Sequence, residues 1–190
     1  MRHWIHFYRA RLNLMLGRQD KAAAAYRAAL NANPQFALAA ASAGFLEASQ
    51  EQWNDAARSF QQALKNTPGD ADLWFNLGYV RQQQNDDAAA IECFERAVQL
   101  KRGLDRAWFG MGLSHRRRGE TEKAVQAYKT AGELQPMNPH AFYELAMVQH
   151  ALGNQPEVHR IIRHVAEFDP QMTRQLVRET GQHPEGVTLR

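Results

Sequence analysis

Residues 105–138 read DRAWFGMGLSHRRRGETEKAVQAYKTAGELQPMN, and this stretch decides the fold. It holds two apolar-periodic segments, about 105–118 and 121–134, each long enough for a helix. Gly119 lies between them and can take the left-handed conformation that ends a helix. Pro136 stops the second segment, because it has no amide hydrogen and its ring clashes with the preceding turn. Gly112, Ala124 and Ala131 are small enough to let two helix backbones approach closely. Tyr128 fills the space toward neighbouring segments. A single hairpin of this kind cannot bury its apolar face alone, so more of them should follow one another.

The sequence repeats the pattern. Pro34, Pro68, Pro136 and Pro170 fall on a 34-residue grid, with Arg102 at the vacant point. Ala22, Ala56, Ala90, Ala124 and Val158 keep the same period, as do Tyr26, Phe60, Phe94, Tyr128 and Ile162. So do Ala29, Ala63, Ala97, Ala131 and Val165, and so do Ala10, Gly44, Gly78, Gly112 and Ala146. A sixth line is Gly17, Glu51, Asn85, Gly119 and Gly153. Chance does not hold six lines in step over five periods.

This pattern resembles the tetratricopeptide repeat family over nearly the whole chain. The third period carries Trp74, Leu77, Gly78, Ala90, Phe94 and Ala97 at the family's spacing. The fourth carries Trp108, Gly112, Ala124, Tyr128, Ala131 and Pro136. The family's usual tyrosine after the glycine is Arg81 and His115 here, and its tryptophan is His6, Ala40 and Phe142 in the outer repeats. The resemblance implies an all-α fold, a right-handed α-solenoid of five helix-turn-helix repeats. They would span 3–36, 37–70, 71–104, 105–138 and 139–172, with a short capping helix at 173–180. Residues 181–190, with Gly181, Pro184 and Gly186, read as a loose tail.

Composition narrows the function. The chain is 44% hydrophobic and 23% charged, and its net charge of +3 is well short of a dedicated nucleic-acid binder. One cysteine, Cys93, excludes an intrachain disulfide and points weakly to the cytoplasm. No apolar run approaches the roughly 20 residues of a membrane-spanning helix. Arg9 and Arg11 interrupt the apolar residues Trp4 to Tyr8, so the beginning reads as mature structure and not as a leader. No phosphate loop, nucleophile elbow or zinc-type spacing occurs. His3 and His6 are spaced for weak metal binding, but they read as surface histidines; His159 and His164 share a face poorly, and Cys93 reads as packing. The chain is therefore expected to be no enzyme, and to need no cofactor or metal.

Binding residues are sought on the side of each first helix opposite its core stripe. At 100° per residue, the core stripe of the fourth repeat is Trp108, Met111, Gly112 and His115. The opposite side carries Arg106, Phe109, Leu113, Arg116 and Arg117, although a solvent face should be polar. Equivalent stripes hold Phe7 in the first repeat, Phe75 and Tyr79 in the third and Tyr143 in the fifth. The resemblance implies that this stripe lines the concave groove where partners bind, with Phe7, Phe75, Phe109 and Tyr143 as an aromatic ladder. Some family members clamp a carboxylate terminus with lysine and asparagine pairs. Asn76 and Arg106 match that clamp, but Ala41, Phe45 and Gly110 cannot hold a carboxylate, so chaperone-tail binding is not expected.

The expected partner is a protein segment with bulky residues beside Asp or Glu, gripped by Phe75, Tyr79, Arg106, Phe109, Leu113, Arg116, Arg117 and Tyr143. Charge is uneven: the first and fourth repeats carry +4 and +2, and the others are slightly negative. The first helix presents Trp4, Ile5, Tyr8 and Leu12 around much of its circumference, which predicts self-association or partner docking through that end. The resemblance extends to bacterial repeat proteins that serve assembly of envelope, pilus, cytochrome or secretion machinery, so an assembly factor is one candidate role. Alternatives are an anionic surface, nucleic acid or membrane, and a non-catalytic subunit of an enzyme complex.

Overall fold

The computed structural model describes residues 1–187. Eleven helices and no strand occur among the described residues. They divide into two compact units, Met1–Arg102 and the residues from Gly103 onward. The first unit contains three hairpins, α1 (Arg2–Met15) with α2 (Gln19–Ala32), α3 (Ala37–Ser49) with α4 (Trp53–Asn66), and α5 (Ala71–Gln83) with α6 (Asp87–Leu100). The second contains α7 (Asp105–Arg117) with α8 (Thr121–Leu134), α9 (Pro139–Ala151) with α10 (Gln155–Ala166), and α11 (Pro170–Thr180).

Every first helix ends in the same way. Gly17, Glu51, Asn85, Gly119 and Gly153 all have positive φ, between 58° and 74°. The amide after each one donates to a carbonyl five residues back, as in Arg18 to Asn13 (2.8 Å) and Glu120 to His115 (2.9 Å). The left-handed residue's own amide donates three back, as in Gly119 to Arg116 at 3.0 Å. These paired bonds satisfy helix-end carbonyls and turn the chain at once. The carbonyl residue and its turn partner also join through side chains in the second unit. His115 Nδ1–H donates to Glu120 Oε2 at 2.8 Å, and Asn154 Nδ2 donates to Gln149 Oε1 at 2.9 Å. Asp70, Asp86, Asn138 and Asp169 cap the starts of α5, α6, α9 and α11 by accepting backbone amide hydrogens.

The alanine, aromatic and glycine lines form the core. Tyr26, Phe60, Phe94, Tyr128 and Ile162 are all buried, as are the alanine and valine positions in register with them. Phe60 lies against Gly44, Phe94 against Gly78 and Tyr128 against Gly112, where no side chain would fit without a shift. Within the first unit α2 packs on α3 and α4 on α5, so each hairpin covers the next; within the second α8 covers α9.

Two features of the chain's end depart from expectation. The helix expected at 173–180 begins at Pro170, because Asp169 caps it through the Met172 amide and proline is well placed in a first turn. Of the expected loose tail, residues 188–190 lie outside the described residues. Residues 181–187 fold back: Val187 is buried in the second unit's core, and His159 Nε2 donates to Gln182 Oε1 at 2.9 Å.

Candidate functional site

In the second unit, α7 and α9 carry the stripe residues. Phe109 and Leu113 are half-buried against the core cluster, with the Phe109 ring tilted 5.8 Å from that of Tyr128. Tyr143 is also half-buried, and its hydroxyl donates to Glu179 Oε2 of α11 at 2.6 Å. That bond lowers the Glu179 carboxyl and raises the Tyr143 phenol relative to their ordinary values. Arg106, Arg116 and Arg117 are exposed. Arg116 Nη1 stands 3.0 Å from Glu144 Oε2 of α9, a close ion pair that lacks the alignment of a hydrogen bond and leaves that carboxylate oxygen buried without a donor. The face thus combines apolar rings, three arginines and two acids. Glu144 and Glu179 had no place in the expected stripe.

The first unit has its own version of the face. Phe75 is half-buried with its ring 5.8 Å from Phe94, and Tyr79 is exposed with its ring edge toward Trp53 at 6.2 Å. Phe45, on the same line as Tyr79, is exposed over Phe60. Phe7 does not join the expected ladder. It is 2% exposed, enclosed by Trp4, Tyr26 and Phe36. Phe36 comes from the loop before α3 and lies outside every helical stripe, so no helical wheel could foresee it.

Other candidates have structural roles. Cys93 is buried, and burial pushes its thiol up to about 11, far from reactive. His164 Nε2 donates to the Pro136 carbonyl at 3.0 Å, and the His3 ring packs edge-on against Phe36. Among the described residues no group of three or more His, Cys, Asp or Glu could hold a metal. Among the same residues no helix is long and apolar enough to cross a membrane. A cleft of about 440 Å³ in the first unit is walled by α2, α3 and α4 and lined by Arg27, Glu47, Asp55 and Arg58. Burial raises the Glu47 carboxyl there. Its charges cancel locally, and sequence periodicity gave no sign of it.

Repeated helical hairpins of fixed period, with small residues at the close approaches and left-handed turns in register, define a helical repeat protein. The tetratricopeptide repeat family model matches residues 5–37 and 44–105, and a second tetratricopeptide model matches 112–153. The chain belongs to the tetratricopeptide repeat family. No curated protein matches it in sequence. Among solved structures it is similar to MamA, with a TM-score of 0.83 and 20% identity over 95% of this chain and 96% of that one. It is also similar to YrrB, described as a tetratricopeptide protein with an unusual peptide-binding site (TM-score 0.78, 22% identity, 91% and 90% covered). PilW, described as a widely conserved type IV pilus biogenesis factor, matches with a TM-score of 0.71 and 21% identity over 94% and 86% of the chains.

Proposed function

We propose that the chain is a non-enzymatic adaptor that holds an extended or helical segment of a partner protein on the exposed faces of its first helices. The observation that carries this reading is the second unit's face, where Phe109, Leu113 and Tyr143 keep part of their apolar surface in solvent beside three exposed arginines. Aromatic and arginine side chains are the usual anchors of protein interfaces. In the first unit Phe75 and Tyr79 are the corresponding anchors. The ligand has bulky residues beside Asp or Glu, because arginine grips a carboxylate through paired hydrogen bonds. The likeness to YrrB and PilW fits peptide capture in the service of assembly, and the single cysteine fits a cytoplasmic setting.

Peptide display against the whole chain tests this. Selected sequences should pair a bulky residue with Asp or Glu. Phe109→Ala should weaken them by about 2 kcal/mol, more than Arg117→Ala does, with only moderate dependence on salt. If Phe109→Ala binds normally while the arginine variants abolish binding and salt removes it, the surface is an electrostatic one for nucleic acid or lipid headgroups.

A further inference from the structure

A second surface lies on α1 of the first unit. Helix α1 buries one side, Phe7 and Ala10, against its own hairpin and the next. The opposite side is apolar as well: Ile5, Tyr8 and Leu12 are 66%, 59% and 56% exposed, and Met15 and Leu16 extend the stripe. These residues span an arc of about 100° on the helix. Arg11 flanks one edge, and Arg2 and Arg9 flank the other. No acidic residue occurs before Asp20.

The grid says what such a face is for. Positions 34 and 68 residues beyond Ile5 are Ala39 and Leu73, and those beyond Leu12 are Leu46 and Val80; all four are buried. Ala39 and Leu46 sit in a cluster with Ala25 and Ala29 of α2, and Leu73 and Val80 in one with Ala57 and Leu64 of α4. In α3 and α5, then, this face receives the second helix of the preceding hairpin. In α1 the same face is larger and more apolar, and it is exposed.

We infer that the Ile5–Tyr8–Leu12 face of α1 docks an amphipathic α-helix of another protein, one whose apolar stripe is bordered by Asp or Glu. A helix is the occupant because a helix covers the same positions in α3 and α5. Acidic borders follow from the three arginines. A second copy pairing α1 with α1 would set arginine beside arginine with no acid to relieve it, and like charges across an interface select against a partner. A bilayer suits the charge but not the shape. Trp4, the ring best suited to a membrane interface, lies against Phe36 (centroids 4.6 Å) and stacks on Tyr8 (5.8 Å), and at 40% it is less exposed than Ile5, Tyr8 or Leu12.

The test uses the full chain and two fluorescein-labelled synthetic helical peptides with one leucine stripe, bordered in one by Glu and in the other by Lys. Anisotropy titration should show the Glu peptide binding at least roughly tenfold more tightly than the Lys peptide. Ile5→Asp with Leu12→Asp should weaken the Glu peptide by a similar factor, with helix content by circular dichroism unchanged. Arg9→Gln with Arg11→Gln should erase the preference between the peptides; because these side chains are exposed, this variant keeps the test informative if the aspartates unfold α1. The Glu peptide also suits the proposed peptide-binding face, so the titrations are repeated in a Phe109→Ala background: binding that remains there and is lost with Ile5→Asp and Leu12→Asp belongs to α1, and a Glu peptide that no longer binds there overturns the inference. Equal affinity for the two peptides would overturn the inference. So would uptake of the chain by phosphatidylglycerol vesicles in an Ile5-dependent way, or a dimer in sedimentation that Ile5→Asp dissolves.

Discussion

Gly44, Gly78 and Gly112 occupy one line of the repeat and face Phe60, Phe94 and Tyr128, so substituting each with alanine makes a graded experiment. An alanine Cβ at Gly44 would lie 2.9 Å from the Phe60 ring, and one at Gly78 would lie 2.7 Å from Phe94. At Gly112 it would approach Tyr128 more closely still. All three glycines are inside helices, where alanine gains about 1 kcal/mol of propensity. Against this stands overpacking, which costs about 1–3 kcal/mol when neighbours cannot move. The rings cannot move freely, since Phe60, Phe94 and Tyr128 are essentially solvent-free. Gly44→Ala should therefore be close to neutral, Gly78→Ala modestly destabilising and Gly112→Ala destabilising by about 2 kcal/mol net. Urea unfolding of each single variant, followed by circular dichroism, gives the order directly. If Gly112→Ala is as stable as the parent, or if the order is reversed, the close approach of the paired helices is not what the small residues serve.

Four further outcomes follow from particular side chains. Glu51 holds φ at 58°, where a side chain costs about 1 kcal/mol or more, so Glu51→Gly should raise the urea midpoint despite removing a side chain. The Tyr128 hydroxyl is buried with no hydrogen-bond partner among the described residues, and both burial and Glu144 raise its phenol; Tyr128→Phe should be neutral or stabilising by up to about 1 kcal/mol in the same assay. Glu120 accepts from Arg118, Lys123 and His115, which lowers its carboxyl from the ordinary 4.5 to about 2. Its stabilisation is then complete above pH 4.5 and lost as pH falls toward 2, and Glu120→Gln should flatten that part of the stability–pH curve. Cys93, with its thiol raised to about 11, should resist maleimide at pH 8 in the folded chain and react once urea unfolds it.

The parts of the structure legible in the sequence are those that repeat. A residue and its counterpart 34 positions on meet the same surroundings, so Tyr26, Phe60, Phe94 and Tyr128 announce a shared core, and Gly17 through Gly153 announce a shared turn. Even Glu51 and Asn85 kept the left-handed conformation, because the hydrogen bonds of the turn outweigh the cost to a side chain. What was not legible lies off the grid. Phe36 buries Phe7 from a loop, at a grid position that is not uniform: Leu104 there is apolar and buried, but Asp70 and Asn138 are polar helix caps. Glu179 reaches Tyr143 from α11, 36 residues away and outside the repeat register. Arg116 meets Glu144 across two helices whose spacing no single-helix wheel contains. Val187 packs into the core from a segment with no periodicity at all.

These off-grid contacts bear on how the second unit's face could hold a ligand. A peptide carboxylate reaching Arg116 must share that cation with Glu144, which already sits 3.0 Å away. Exchanging partners gains little, because drawing Arg116 away leaves the mostly buried Glu144 carboxylate uncompensated, a cost that offsets the new pair. A ligand that displaces the Tyr143–Glu179 hydrogen bond must likewise replace it to break even. Polar contacts on this face therefore decide which sequences are excluded more than how tightly the accepted ones bind. The strength has to come from apolar surface that has no competing partner, and on α7 that is the exposed part of Phe109 and Leu113. On this reasoning a tight ligand is one that lays a bulky side chain over α7 first and then finds its charge matched, and a ligand with the charges alone is held weakly.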